Sequence, residues 1–153
     1  MMNDHAVARH VGHLLRSFRR LVGQDLLPTH NDAMRDAQQL FAAPFVVLSH
    51  GIEADPILNY GNALALQLWE LTTAQFCATP SRVTAEPTLR DDRQYTLDTV
   101  ARQGFITNYA GIRISNSGRR FLIENVVLWN VSDDDGNHIG QAASFDRWTF
   151  LHP

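Results

Sequence analysis

One cysteine, seven histidines and a Ser49-His50 pair are the residues whose side chains could do chemistry in this 153-residue chain. Cys77 stands in the string Gln75-Phe76-Cys77-Ala78. A lone thiol in an apolar segment is more often a small packed residue than a nucleophile. A single cysteine also excludes an intrachain disulfide and a multi-cysteine zinc site, and it fits a reducing compartment. His10 and His13 are three apart on a predicted helix and could share a metal ion. No cysteine or carboxylate stands beside them at ligand spacing. Ser49, His50 and Asp55 have the composition of a hydrolase triad, but no Gly-x-Ser-x-Gly elbow presents the serine. Closeness in sequence is not triad geometry. Catalysis would need two titratable groups with perturbed pKa values facing one cavity, and no such pair stands at recognisable spacing. No enzyme activity and no metal site are expected.

Binding chemistry is the stronger signal. Trp69, Phe76, Tyr109, Phe121, Trp129 and Phe145 could line a small-molecule cavity, since aromatic walls with a few polar groups are usual there. Asn108, Asn125 and Gln141 are the polar candidates that would orient a ligand, and the plainer reading of the aromatic residues is a packed core. Arg113 falls on a strand face with Tyr109 and Phe121. An arginine among apolar groups either pairs with a carboxylate, here Glu124 or Asp146, or awaits an anionic ligand.

The elements that position these residues are legible from periodicity. Residues 5–27 place Val7, Val11, Leu14, Leu15, Phe18, Leu21, Val22 and Leu26 on one helical stripe, with arginines opposite. A second short helix spans 31–42, capped by Thr29 or Asn31. Phe45–Ser49 and Ile57–Tyr60 read as short strands. Asn62 caps a helix over 62–70, and Thr72 or Thr73 caps a single turn ending near Cys77. Ala78–Thr88 is an irregular connection, and 89–103 is a polar helix ended by Gly104. Gly104–Trp148 then forms a three-stranded antiparallel meander with turns at Asn116-Ser117-Gly118 and Asp133–Asn137. A three-residue hairpin loop sets Arg113 opposite Phe121 and Gly111 opposite Ile123. Strand alternation then puts Phe121, Ile123, Val127 and Trp129 on one face, and Leu122, Val126 and Leu128 on the other. Both faces carry apolar rows, so both need cover. The small helices supply one cover, and the N-terminal helix or a partner chain supplies the other.

The formal net charge of −3 argues against a chain whose main task is gripping nucleic acid. The arginines of the first helix are read as solvated rather than as a nucleic-acid or membrane surface. No apolar run approaches the length of a spanning helix, and the arginines and histidines break up any signal-peptide core. A cytoplasmic location is expected.

The strings SHGIEADPILNYGNALALQLWE (49–70), PSRVTAEP (80–87), GFITNYAGIRISNSGRRFLIEN (104–125) and GQAASFDRW (140–148) resemble the MEKHLA domain, a PAS-like family. Its members occur in small bacterial proteins and at the C-terminus of class III homeodomain–leucine zipper plant regulators. The resemblance implies an α+β fold: a PAS-like five-stranded antiparallel sheet with small helices on one face, over residues 45–150. Residues 1–43 then form an N-terminal amphipathic helical extension. A sensory or regulatory role is implied, with a small apolar or aromatic molecule bound between helices and sheet. The signal would pass to a homodimer or a regulatory protein partner. A ligand-free dimerisation module and a small enzyme using the same cavity are the alternatives. No cofactor is named. Light-sensing PAS relatives place their flavin-reactive cysteine in an Asn-Cys-Arg-Phe string, which Cys77 lacks, and residues 81–103 hold no histidine for haem.

Overall fold

The meander forms as its turns dictate and becomes the centre of a sheet. The computed structural model describes residues 2–86 and 89–152, so Pro87 and Thr88, the end of the expected connection, lie outside the described residues. β1 (Val46–His50) and β2 (Leu58–Gly61) come first, and β3 (Phe105–Ile114), β4 (Arg120–Ser132) and β5 (His138–Phe145) make the meander. The strands lie in the order β2-β1-β5-β4-β3, and every pairing is antiparallel. The hairpin register matches the sequence expectation: Arg113 faces Phe121 and Gly111 faces Ile123.

Among the described residues the sheet has six strands rather than five. β6 (Arg147–Phe150) continues past Asp146 and pairs with β4 from Glu124↔Arg147 to Phe121↔Phe150. Partnership between β1 and β5 ends at Val46↔Phe145, so the chain beyond it is free to pair with the remaining edge of β4. That pairing covers backbone groups that would otherwise form an open strand edge.

Two bulges correct the expected faces of the meander. Asn108 (φ 57°) and Asn125 (φ 55°) both take left-handed backbone, and the β3–β4 register shifts on either side of Tyr109↔Val126. Asparagine tolerates this conformation better than most side chains. Each bulge inserts one residue and reverses which face the later side chains occupy. Because one bulge lies in each strand, the register is restored at Ile106↔Leu128. Phe121, Ile123, Val126 and Leu128 therefore share one face and pack with Leu48, Leu58, Trp69, Phe76, Val100 and Phe145. Val127, Trp129 and Val131 turn to the opposite face.

That opposite face is covered by α1 (Asp4–Val22) and α2 (Ala33–Phe41). Val11, Leu14, Leu15 and Phe18 of α1 pack on Val47, Tyr60, Trp129 and Val131. Phe18 meets the Trp129 ring edge-on at 4.9 Å, and the indole N–H donates to the Leu14 carbonyl at 3.2 Å. α1 is shorter than the 5–27 stripe because Gly23 adopts left-handed backbone (φ 88°) and ends it. The cap of α2 is Asp32, not Thr29 or Asn31.

α3 (Ala63–Trp69), the single turn α4 (Thr73–Phe76), a one-turn 3-10 helix at Ser81–Thr84 and α5 (Arg90–Gln103) lie toward the first face. Asn62 caps α3 as expected, and it does more. Its Oδ1 accepts from Ala65 N–H and Val47 N–H, while Nδ2 donates to the Leu40 and Phe45 carbonyls. One fully buried amide thus ties α2, β1 and α3 together. Thr72 and Gln75 cap α4 reciprocally, the arrangement known as a capping box.

Candidate functional site

Between α5, the 3-10 turn, α3 and the bulged face of the sheet lies a cavity of about 50 Å³. A buried water needs roughly 10–15 Å³ on the same kind of measure, so the space suits a few non-hydrogen atoms. Its apolar wall comes from Leu48, Leu58, Leu97, Ile123, Val126 and Leu128. Its polar wall contains Arg93, Arg113, Tyr109, Trp69, His50, Ser81 and Gln141.

Arg93 is brought inward by helical spacing. It lies four residues before Leu97 and seven before Val100, on the same face of α5, and it is 8% exposed. Its guanidinium donates to Ser81 Oγ, the one protein hydrogen bond found for it among the described residues. Burial, then repulsion from Arg113, pushes its pKa down to about 10. Arg113 reaches the cavity from β3, donating to its neighbour's Ile112 carbonyl at 2.9 Å and to the Tyr109 hydroxyl at 3.3 Å. It also lies over the Tyr109 ring at 5.6 Å.

Neither arginine has a carboxylate partner among the described residues. Four other carboxylates have partners of their own. Glu86 pairs with Arg120, and Asp55 pairs with Arg82. Glu70 accepts from Ser115 and Ser117, and Glu53 accepts the Ile57 N–H. Glu124 and Asp146, the partners expected for Arg113, make no ion pair with it.

Two of the lining residues also carry a buried polar atom without a partner among the described residues. Trp69 is 3% exposed, and its indole N–H has no partner. His50 Nδ1 lies 2.9 Å from the Gly51 carbonyl, so Nδ1 carries the proton and donates. Its buried Nε2 is then a bare acceptor with no partner. Burial lowers the His50 pKa, which keeps the ring neutral at neutral pH.

Of the residues expected to line the cavity, Trp69, Tyr109, Arg113, Gln141 and Phe145 do so. Gln141 is less free than expected. Its amide donates to the Leu97 carbonyl at 3.0 Å and to Asn130 Oδ1 at 3.2 Å, which anchors α5 to the sheet. Phe121 and Phe76 belong to the same core without bordering the space; Phe121 packs edge-on against Trp69 at 5.2 Å. Trp129 lies under α1, on the far side of the sheet. Asn125 and Asn108 are exposed at their bulges. The placement of Asn125 and Trp129 in the cavity is thus corrected, since the Asn125 bulge reverses the face on which each had been counted. Arg93 was missed. Its signal was present in the spacing 93, 97, 100, which marks an arginine on the inward face of α5.

The triad reading fails on geometry. Ser49 Oγ donates to Asn59 Oδ1 at 2.5 Å, and His10 Nε2, 2.9 Å away, must be the donor to Ser49. The serine proton therefore points away from either histidine, and Asp55 is held by Arg82. His10 is buried on α1, and its pKa is lowered to about 4, chiefly by burial. His10 and His13 gather no metal donors, and no group of three or more candidate metal ligands occurs among the described residues. Cys77 is half-buried in a separate surface groove of about 540 Å³ between the start of α1, α2, β2 and α4. Burial raises its pKa, which disfavours the thiolate. No described helix is long and apolar enough to cross a membrane.

A curved antiparallel sheet in this strand order, covered by small helices around a central cavity, defines a PAS-like fold. Solved structures agree. A PAS domain from Colwellia psychrerythraea matches with a TM-score of 0.63 at 13% identity, over 76% of this chain and 94% of that one. A PAS domain from a two-component sensor histidine kinase matches with a TM-score of 0.56 at 16% identity, over 74% and 91%. An RNA-binding light-oxygen-voltage receptor gives 0.59 at 16% identity, over 82% of this chain but 34% of that longer one. At these identities the likeness concerns the fold alone. No curated protein is similar enough in sequence to count as a match. The MEKHLA domain model matches residues 8–150, and the chain belongs to that family.

Proposed function

We propose that this protein is a PAS-like sensory module that binds a small molecule in the cavity between α5 and the sheet. The observation that carries this reading is the buried guanidinium of Arg93 beside the cavity, which among the described residues makes one hydrogen bond and no ion pair. An unpaired buried donor costs about 1–3 kcal/mol, so such a group is retained where something outside the chain completes it. The volume of about 50 Å³ favours a ligand of a few non-hydrogen atoms over an aromatic one. A dry cavity that holds benzene is roughly three times larger.

The sheet supplies a route for the signal. Leu48 faces the cavity, while its neighbours Val47 and Ser49 face α1. A shift of β1 on ligand binding would be felt by α1, whose outer face carries Arg9, Arg16, Arg19 and Arg20 for a second copy or a regulatory partner. The test is an amide and indole NMR spectrum of the full chain with fractions of small molecules from a cell extract. Saturable shifts at Trp69 and along α5 are expected. No shift in any fraction, with the protein folded, would remove the ligand-binding reading. It would leave a ligand-free interaction module in its place, for which the small size of the cavity already speaks.

A further inference from the structure

Two arginines lining one cavity, neither with a carboxylate at ion-pair distance among the described residues, specify the charge of what enters. We infer that the cavity binds a short-chain carboxylate, through Arg93 and Arg113. This rests on the proposed ligand-binding function and names the chemical class of its ligand.

The argument begins with Arg93. A guanidinium has five N–H donors and no way to shed its charge at neutral pH. At 8% exposure, Arg93 makes one protein hydrogen bond, to Ser81. A buried charge that is neither paired nor solvated is among the most costly features a fold can keep. Arg113 compounds it, because like charges facing one small space repel, and Arg90 adds to that field. A carboxylate between the two would reverse each of these terms at once, and the planar guanidinium fork matches its two oxygens.

The other walls narrow the class. Leu58, Leu97, Val126 and Leu128, with the Trp69 ring, provide an apolar surface for a carbon chain. An inorganic oxyanion would leave that apolar wall unused. The volume of about 50 Å³ limits the carbon chain to a few atoms, and it excludes a di- or tricarboxylate of citrate size.

The experiment titrates propionate, lactate and pyruvate into the full chain at constant ionic strength. The readouts are the Trp69 indole resonance and the arginine Nε–H resonances. Propionamide serves as the neutral isostere, and nitrate and phosphate serve as inorganic oxyanions. Saturable shifts with at least one carboxylate are expected, with propionamide at least tenfold weaker. Arg113→Gln, at a half-exposed position that should preserve the fold, is expected to weaken the carboxylate at least tenfold without moving resonances outside the cavity. Arg93→Gln is expected to do the same. Equal binding of propionamide, or no loss in Arg113→Gln, would overturn the inference while leaving ligand binding intact. Nitrate or phosphate binding as tightly as any carboxylate would overturn the choice of an organic anion. Silence toward all of these, together with silence toward cell extract, would overturn the binding function as well.

Discussion

Replacing Arg93 by methionine should make the unliganded protein more stable. Folding moves the guanidinium from water to a buried site that lowers its pKa to about 10. Both states carry the charge at pH 7, so the whole penalty applies there. At 1.36 kcal/mol per pKa unit it is roughly 3 kcal/mol. Methionine removes the charge, and its flexible chain can follow the same path along Leu97. Against this stands the lost hydrogen bond to Ser81, about 1 kcal/mol, and the serine hydroxyl left behind. The net expectation is a gain of about 1–2 kcal/mol. A chain of this size then melts roughly 2–8 °C higher. Urea denaturation at pH 7 would read the gain as a higher midpoint at unchanged slope. A loss of 1 kcal/mol or more would refute the reasoning, because it would mean that the guanidinium is satisfied in the resting protein. The same variant should lose response to any anionic ligand, a trade of function against stability typical of binding sites.

Acid should weaken the fold through histidine before carboxylates take over. His10 titrates at about 4 in the folded protein against 6.5 unfolded, so stability is level above pH 6.5 and falls as pH drops toward 4, by roughly 3 kcal/mol. His50 is shifted in the same direction and adds to the slope. A stability profile flat between pH 6.5 and 4.5, or one unchanged in His10→Gln, would contradict this. Gly140→Ala should destabilise by about 2–4 kcal/mol, because a Cβ there would overlap the His50 carbonyl oxygen across the β1–β5 pair. A chemical-denaturation midpoint equal to that of the parent protein would disprove the close approach. Trp129→Ala should cost about 3–5 kcal/mol and loosen α1, which would show as faster proteolysis and hydrogen exchange within residues 4–22. Normal protection of α1 in a destabilised protein would sever the link between that tryptophan and the helix.

The lead role of Trp129 shows where sequence reasoning stopped. It was legible as a large aromatic on a strand, and alternation counted it onto the face of Phe121 and Tyr109. The structure moves it to the other face because Asn125 inserts one residue into β4 at left-handed backbone. Asparagine permits that conformation without requiring it, so the residue type alone did not announce the bulge. Arg93 stopped the reading differently. Its helical phase was visible, but a polar helix with few apolar residues gives a weak inward face, and an arginine there reads as solvated.

What the sequence determined by itself was local and periodic. The turns at Asn116–Gly118 and Asp133–Asn137, the cap at Asn62, the stop at Gly104 and the Arg113–Phe121 register all follow from dihedral preferences and short spacings. So does the need to cover the sheet twice, which α1 and the small helices meet. Tertiary structure alone decided which side chains meet inside the cavity, how small that cavity is, and that its two arginines find no acidic partner. The physical reason is range. A dihedral preference acts within a few residues, whereas the pairing of a charge depends on every chain segment that packs around it. One inserted residue in a strand reverses all the faces beyond it.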